Sequence, residues 1–354
     1  EYSAHSLAWI YGRQNRVEEA MDLSHKVVEK FGPQPLGLMG LAGACLDAVD
    51  LEGADRALDM AEYRGFQQGH GWVSQNIVGL RKTLNEMTQP SVYELEWTIP
   101  RSKWDSQGSP RTFVFPLESH RRQTFTFSLE GSATEKRLKG SPETLVEITP
   151  KEGQDVKVTA KAVLWPDVIT RSVRLGLLRR QLKGPALGPL YYHSEKVDPS
   201  YGPCVQLAKN LKASSVWQTM QNILNWRGAN ITYAQPPAGN TLETILASKK
   251  GVCHHSSYLC ASLGRALGVD AVVVGGFVLP PSGEFKEVEG SHGWIEFKIP
   301  AYGWIEAESQ DSRSLGRFMG GKNYLRYRSQ NDTAPNTKGW ISCQEFKVSG
   351  RRVQ

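Results

Sequence analysis

The hydrophobic period changes twice along this chain of 354 residues, and the changes mark off three stretches that cannot share one architecture. Up to Pro90 apolar residues recur at helical spacing. From about 91 to 168 they alternate one by one, and from about 170 both patterns occur in separate segments. The first stretch also repeats itself. LAWIYGRQNRVEEA (7–20) and LAGACLDAVDLEGA (41–54) align without gaps at an offset of 34 residues, so that Leu7, Ala8 and Ala20 recur as Leu41, Ala42 and Ala54, and Ala61 closes the second unit. Small residues at such points let antiparallel helices approach closely. WVSQNIVGLRKTL supplies a third helix, about 71–87, as a cap. In the second stretch VYELEWTI, RTFVFPL, QTFTFSL, ETLVEIT and DVKVTAKAVL read as short strands parted by Gly, Pro, Ser and Asp, which predicts an antiparallel β-sandwich. His120, between Arg121 and Arg122, reads there as a loop residue. The expected division is a helical region at 1–89, a sandwich at 90–169 and an α+β domain at 170–354.

Composition narrows the function classes. Hydrophobic residues make up 40% and charged residues 22%, which suits folded domains rather than disorder. The longest uncharged apolar stretch, Ala271 to Gly283, is too short and too broken by Gly and Pro to cross a bilayer. The net charge is +6, with Arg171, Arg174, Arg179, Arg180 and Lys183 gathered in one segment. Those residues interleave with Val173, Leu175, Leu177, Leu178 and Leu182, so they read as the solvated face of a helix and no nucleic-acid partner is expected. Five cysteines, at 45, 204, 253, 260 and 343, form no CxxC pair and no regular framework. The chain begins at Glu1 without Met, as after removal of a targeting segment, which leans its location toward the bacterial periplasm or secretion.

Chemistry concentrates near the end of the chain. Asn240 with Glu243 reads as a capping box for a short helix, TLETILAS. Gly251 precedes a longer helix, CHHSSYLCASLGRAL, that Gly268 can terminate. Cys253 falls in its first turn, where unpaired N–H groups and the helix dipole favour a thiolate. A nucleophilic thiol needs a base, and the base needs an acceptor to orient it. The hairpin HGWIEFKI–PAYG–GWIEAE can supply both: His292 opens one strand, and Glu308 follows the next, with Asp311 as an alternative acid. The Cys253 N–H is the natural oxyanion donor, and Tyr233 or Trp217 a possible second. Trp294, two residues from His292 on the same strand face, is a candidate for the substrate cleft, whereas Trp304 reads as core. Cys260, two turns beyond Cys253, reads as a buried structural residue. Three consecutive helical residues, Cys253, His254 and His255, point about 100° apart and cannot converge on one ion, so no zinc site is expected there.

Taken in order, GVCHHSSYLCASLGRALGVDAVVVGGFV, SHGWIEFKIPAYGWIEAE and the upstream ANITY (229–233) resemble the core of the transglutaminase-like superfamily over about 213–332. The 34-residue repeat, with Tyr11 at its aromatic position but no Trp and with Pro33 one residue late, resembles two degenerate tetratricopeptide repeats. The resemblances imply a multidomain α+β protein: tetratricopeptide-like helical hairpins, a central antiparallel β-sandwich and a papain-like, transglutaminase-like core. They also imply Cys253 as nucleophile, His292 as base and Glu308 as the acid, although the family usually carries Asp there. The activity implied is acyl transfer on peptide or protein amides through a thioester at Cys253. Water as acceptor gives a peptidase or amidase, the preferred outcome. An amine gives a protein-glutamine γ-glutamyltransferase or an amide synthase, and an inactive interaction scaffold is the remaining reading. No cofactor is expected, whether nucleotide, flavin or pyridoxal, and no acidic loop suits calcium. The helical repeats are a possible site for a peptide partner.

Overall fold

A computed structural model describes the chain apart from residues 1, 15, 105–106, 139–143, 179–195, 238, 289–291, 301, 319–322 and 330–340. Its contacts fall into two compact units, one of residues 1–89 with 168–177 and one of residues 90–167 with 178–354.

The first unit is helical: α1 (Tyr2–Arg13), α2 (Val17–Phe31), α3 (Pro35–Ala48), α4 (Leu51–Gln67) and α5 (Gly71–Thr88). Pro35 opens α3, where a missing N–H costs nothing. Val49, in the left-handed conformation, closes α3, and Asp50 then caps α4 by accepting from the Gly53 N–H at 3.0 Å. Of the residues that recur at the 34-residue offset, Ala8, Ala20, Leu41, Ala42 and Ala54 are buried, whereas Leu7 is 39% exposed. α5 buries Val73, Ile77, Leu84 and Met87. A groove of about 340 Å³ runs past Trp9, Met39, Gly43, Ala44, Trp72 and Leu80. α6 (Arg171–Leu178) does not carry its arginines as a free solvated face, as the sequence suggested. Arg171 and Arg174 both reach Glu18 at 2.6 Å, and the Arg174 side chain is largely covered. Arg179, Arg180, Leu182 and Lys183 lie outside the described residues.

The second unit begins with the alternating segments. They form β1 (Ser91–Ile99), β2 (Arg111–Phe115), β3 (Ser119–His120), β4 (Gln123–Glu130), β5 (Ser132–Leu138), β6 (Thr144–Pro150) and β7 (Val156–Leu164), with β8 (Asp167–Val168) after them. Among the described residues, the third stretch adds to this unit α7 (Gly202–Leu211), α8 (Val216–Asn230), α9 (Leu242–Ser248) and α10 (Cys253–Ala266). Its strands are β9 (Ala271–Val278), β10 (Glu284–Val288), β11 (His292–Ile299), β12 (Gly303–Ala307), β13 (Arg317–Phe318), β14 (Tyr324–Ser329), β15 (Ile341–Ser342) and β16 (Val348–Arg352). One sheet has the order β10-β16-β1-β7-β4-β3 and a second β15-β2-β6-β5. Both contribute to one core, in which Trp97, Phe113, Phe115, Phe125, Val146 and Ile148 are buried together. β10, β15 and β16 all come from beyond residue 280, so the stretch drawn at 90–169 shares its sheets with the C-terminal stretch instead of closing on itself.

A third sheet, β12-β11-β9-β14, lies alongside α10 in the same unit. α10 is buried on almost every side, hydroxyls and all: Ser256, Ser257 and Ser262 have no exposed surface, and Gly268 at φ +78° turns the chain out of it. α9 is capped by Thr241, whose hydroxyl accepts from the Thr244 N–H at 3.2 Å. The capping box read on Asn240 and Glu243 is therefore displaced by one residue, which frees Asn240 for another bond.

Candidate active site

The start of α10 is fixed from below. Thr232 and Gly251 are hydrogen-bonded at 3.0 Å, N–H of Gly251 to the Thr232 carbonyl, which lays the segment around ANITY against the approach to the helix. His255 then locks the first turn. Its Nδ1 accepts from the Val252 N–H at 3.3 Å, and its Nε2, which must carry the proton, donates to Asn240 Oδ1 at 2.8 Å. Burial, with His254 beside it, pushes His255 down to about 4, so it stays neutral. Ser257 donates to the Cys253 carbonyl at 3.0 Å and meets Ser309 at 2.9 Å, tying the helix start to the residue after Glu308.

Opposite this turn stands the hairpin of β11 and β12, in register from Ile295–Ala307 to Ile299–Gly303. His292 opens β11, and Glu308 follows β12 directly. Glu308 Oε2 lies 2.7 Å from His292 Nε2, and the ring's other face of chemistry, Nδ1, is left for the thiol. The longer glutamate side chain is held in place by two further donors. The Tyr324 hydroxyl donates to Oε2 at 3.0 Å, and the Gln310 N–H donates to Oε1 at 3.1 Å. Tyr324 also packs edge-on against the His292 ring, with centroids 4.8 Å apart. Asp311 is used elsewhere: it accepts from the Arg313 N–H and Nε at the turn Ser312–Ser314.

The electrostatics suit an ion pair. Burial would raise the Cys253 thiol, but hydrogen bonds with His254, His292 and the Gly293 N–H, together with the His292 charge, bring it down to about 5. Burial opposes charge on His292 too, yet the thiolate and the Glu308 carboxylate lift it to about 9. Between these limits the pair is thiolate and imidazolium. Cys45, Cys204 and Cys260 go the other way, pushed up to about 12 chiefly by burial. Cys253 is also partly exposed, whereas the other four thiols are buried.

The aromatic candidates separate. Trp294 is fully buried, and its indole N–H donates to Glu306 Oε1 at 3.1 Å, so it is core and not a wall of the cleft. Gly276 makes room for it: a Cβ there would lie 2.5 Å from the indole and 2.3 Å from the Leu325 carbonyl. Trp217 is buried at 5% exposure in the first turn of α8, and Tyr233 is 62% exposed.

His120 is not a loop residue without chemistry. It sits on β3, with Nε2 3.3 Å from Glu296 and 3.2 Å from Arg326. Arg122, fully buried, clasps Glu306 and donates to the Tyr324 carbonyl at 2.8 Å. Arg121 pairs with buried Asp167, which accepts from the Glu306 N–H at 2.8 Å. His120, Glu296 and Glu306 have the donor types and the spacing of a metal site. The cation they face is already present, because Arg326 Nη1 stands 2.6 Å from Glu296 and 3.1 Å from Glu306. Sequence reasoning missed Tyr324 and this cluster, and no local pattern signals either.

Residues 205–309 match the family model of the transglutaminase-like superfamily. Comparison with curated proteins gives no match. Among solved structures, a protein from Cytophaga hutchinsonii provisionally named a cysteine protease is similar at 16% identity, with 75% of this chain and 89% of that one covered and a TM-score of 0.46. The chain thus carries a segment that matches the transglutaminase-like superfamily, and the thiol, imidazole and carboxylate at Cys253, His292 and Glu308 all lie within it.

Proposed function

We propose that this chain is a cysteine-dependent acyl-transfer enzyme for peptide or protein amides, with water as the acceptor. The observation that carries the reading is the 2.7 Å bond from His292 to Glu308 beside a thiol drawn down to about 5. The Cys253 thiolate attacks the amide carbon, forming the C–S bond. The carbonyl oxygen takes the charge, met by the Cys253 N–H, which has no acceptor within its helix. Tyr233, exposed on the segment bonded to Gly251, is the side-chain donor of this proposal. Imidazolium Nδ1 gives its proton to the nitrogen, the C–N bond breaks and the amine leaves. Neutral His292 then takes a proton from water, whose oxygen displaces the thiolate and yields the acid. Glu308 holds the ring in one tautomer and stabilises the imidazolium at both stages.

An amine in place of water would give a cross-link or a new amide by the same steps, and the triad does not choose between them. Hydrolysis is preferred because it needs no second binding site. The test is to incubate glutamine-containing peptides with the full chain, with and without a primary amine, and to follow product masses against Cys253→Ala. Backbone cleavage or deamidation supports the hydrolytic reading, and amine adducts replace it with transfer. The helical unit is proposed to recruit peptide partners, through the groove past Trp9 and Trp72.

Tyr324 enters this reading as a positioning residue. Tyr324→Phe is expected to lower kcat about tenfold, the worth of one hydrogen bond to a charged group, with KM within about twofold. Steady-state kinetics on a cleaved peptide checks it, and an unchanged kcat would show that Gln310 alone holds Glu308.

A further inference from the structure

Sheet pairing fixes His292 but stops short of the acid. His292 lies opposite Gly276 of β9, whereas the pairing of β11 with β12 ends at Ile295 and Ala307, one residue before Glu308. The contact between Ser257 and Ser309 ties the segment after Ala307 to α10 at one point, about which it could still pivot. A second tie comes from α8. Arg227, in the last turn of that helix and 4% exposed, donates from Nε to Ser256 Oγ at 2.9 Å and from Nη1 to the Gln310 carbonyl at 3.3 Å. Ser256 passes the contact on to the residue before the nucleophile, donating to the Val252 carbonyl at 3.1 Å. Gln310 passes it on to the acid, because its N–H donates to Glu308 Oε1 at 3.1 Å. Gln221, earlier on α8, meets the same segment at the Ser312 carbonyl, 2.7 Å away.

Stability does not account for this arginine. Among the described residues no carboxylate is bonded to it, and its Nη2, also buried, has no partner. Burial holds the guanidinium below its ordinary value of 12.5, with Cys260, Glu308 and Tyr233 opposing the shift. Buried charges of this kind are often replaced by apolar residues of like volume without loss of stability. What an apolar residue cannot supply is a planar fork that holds two acceptors, on two different elements, at one spacing. We propose that Arg227 is a positioning residue for the triad: its guanidinium fixes the turn that carries Cys253 against the segment that carries Glu308, and so sets His292 at the thiol. This inference rests on the acyl-transfer reading above and deepens it. Arg227 acts through Ser256 and Gln310 and exchanges no proton in this role.

The experiment is the pH dependence of iodoacetamide alkylation of Cys253 in the full chain, followed by mass, beside the melting temperature. The other four cysteines are buried and leave the signal to Cys253. The titratable groups around the thiol are His254 and Tyr258 on α10, His292 on β11, Glu308 after β12 and Tyr324 on β14, and none of them changes in the variants. A thiol with a depressed pKa reacts above that pKa, so loosening His292 from the sulfur moves the midpoint up. Arg227→Met is expected to raise the midpoint by about one unit and to slow alkylation near pH 5 about fivefold. It should melt within a few degrees of the parent or above it, and on a cleaved peptide it should lose kcat about a hundredfold with KM within about twofold. Arg227→Lys keeps the charge without the fork, and it is expected to follow Met and not the parent. A Met profile that overlays the parent overturns the assignment. So does a Lys profile that overlays the parent, since the charge alone would then suffice, and so does a loss of reactivity that only accompanies a large fall in melting temperature. Should Arg227→Met fail to fold, Arg227→Gln, too short to reach both acceptors, carries the same prediction. Failure of the acyl-transfer reading looks different: the parent itself would then titrate as an ordinary thiol near about 8.5.

Discussion

Cys253→Ala is expected to reduce amide turnover by about 10⁴-fold or more while leaving the fold in place. The size follows from what the thiol contributes. Without it no covalent intermediate forms, and water must attack the amide directly, with only His292 and the oxyanion donors to help. The fold should tolerate the change because the first turn of α10 does not depend on the sulfur. Backbone bonds between Gly251 and Thr232, the His255 bridge from Val252 to Asn240 and the Ser257 hydroxyl hold it. The alanine chain should therefore melt within a few degrees of the parent, lose its thioester signal in mass spectra of substrate-quenched samples and still bind substrate. Cys253→Ser is expected to be nearly as inactive, since a hydroxyl has no comparable anion to offer beside His292 near neutral pH. Turnover by Cys253→Ala within about tenfold of the parent would end the acyl-enzyme reading.

What the sequence made legible, and what it did not, follows the range of the interactions. Periodicity is local, and it gave the helical character of the stretch up to Pro90, five of the strands between 91 and 168 and the helix start at Cys253. The spacing from His292 to Glu308 is a single hairpin, so topology alone brings its ends together. Strands whose partner lies far along the chain left little trace. β5 is exposed at its five central residues and shows no alternation to read, and β15 spans two residues. β10 and β16 pair with one another across some sixty residues, and β16 also pairs with β1. The same holds for side chains. Tyr324 reaches Glu308 only because β14 lies beside β9, and Arg122 reaches Glu306 across 184 positions. Trp294 went astray because alternation places it on one face with His292 but does not say that Gly276 and Glu306 would bury it there.

Arg122 is the second position where a large effect is expected, here on stability. Its guanidinium is buried against Glu306, donates to the Tyr324 carbonyl and lies over the rings of Trp294 and Phe318. Glu306 in turn accepts from Arg326 and Trp294, and Glu296 accepts from Arg326. Removing one partner from such a cluster strands a buried charge, which costs about 3–5 kcal/mol. Arg122→Met should therefore lower the melting temperature by roughly 6–20 °C, given about 2–4 °C per kcal/mol for a unit of this size. Arg122→Met with Glu306→Leu removes both charges and should recover part of the loss, since the two residues act as one group. The cluster also fixes the sign of an acid transition. Burial would raise the Glu296 carboxyl, but Arg326 and His120 hold it down to about 2, below its ordinary value of 4.5. A depressed carboxyl contributes stability that is complete above 4.5 and is lost as pH falls through that value toward 2. The acid limb of the parent's melting curve should accordingly lie in that window, and Arg326→Met should flatten it. Because Arg122 holds the backbone of Tyr324 and Glu306 precedes Glu308 by two residues, Arg122→Met should also slow turnover at temperatures where the chain remains folded. A double variant no more stable than Arg122→Met, or a single variant that melts with the parent, would show that the buried charges are not coupled.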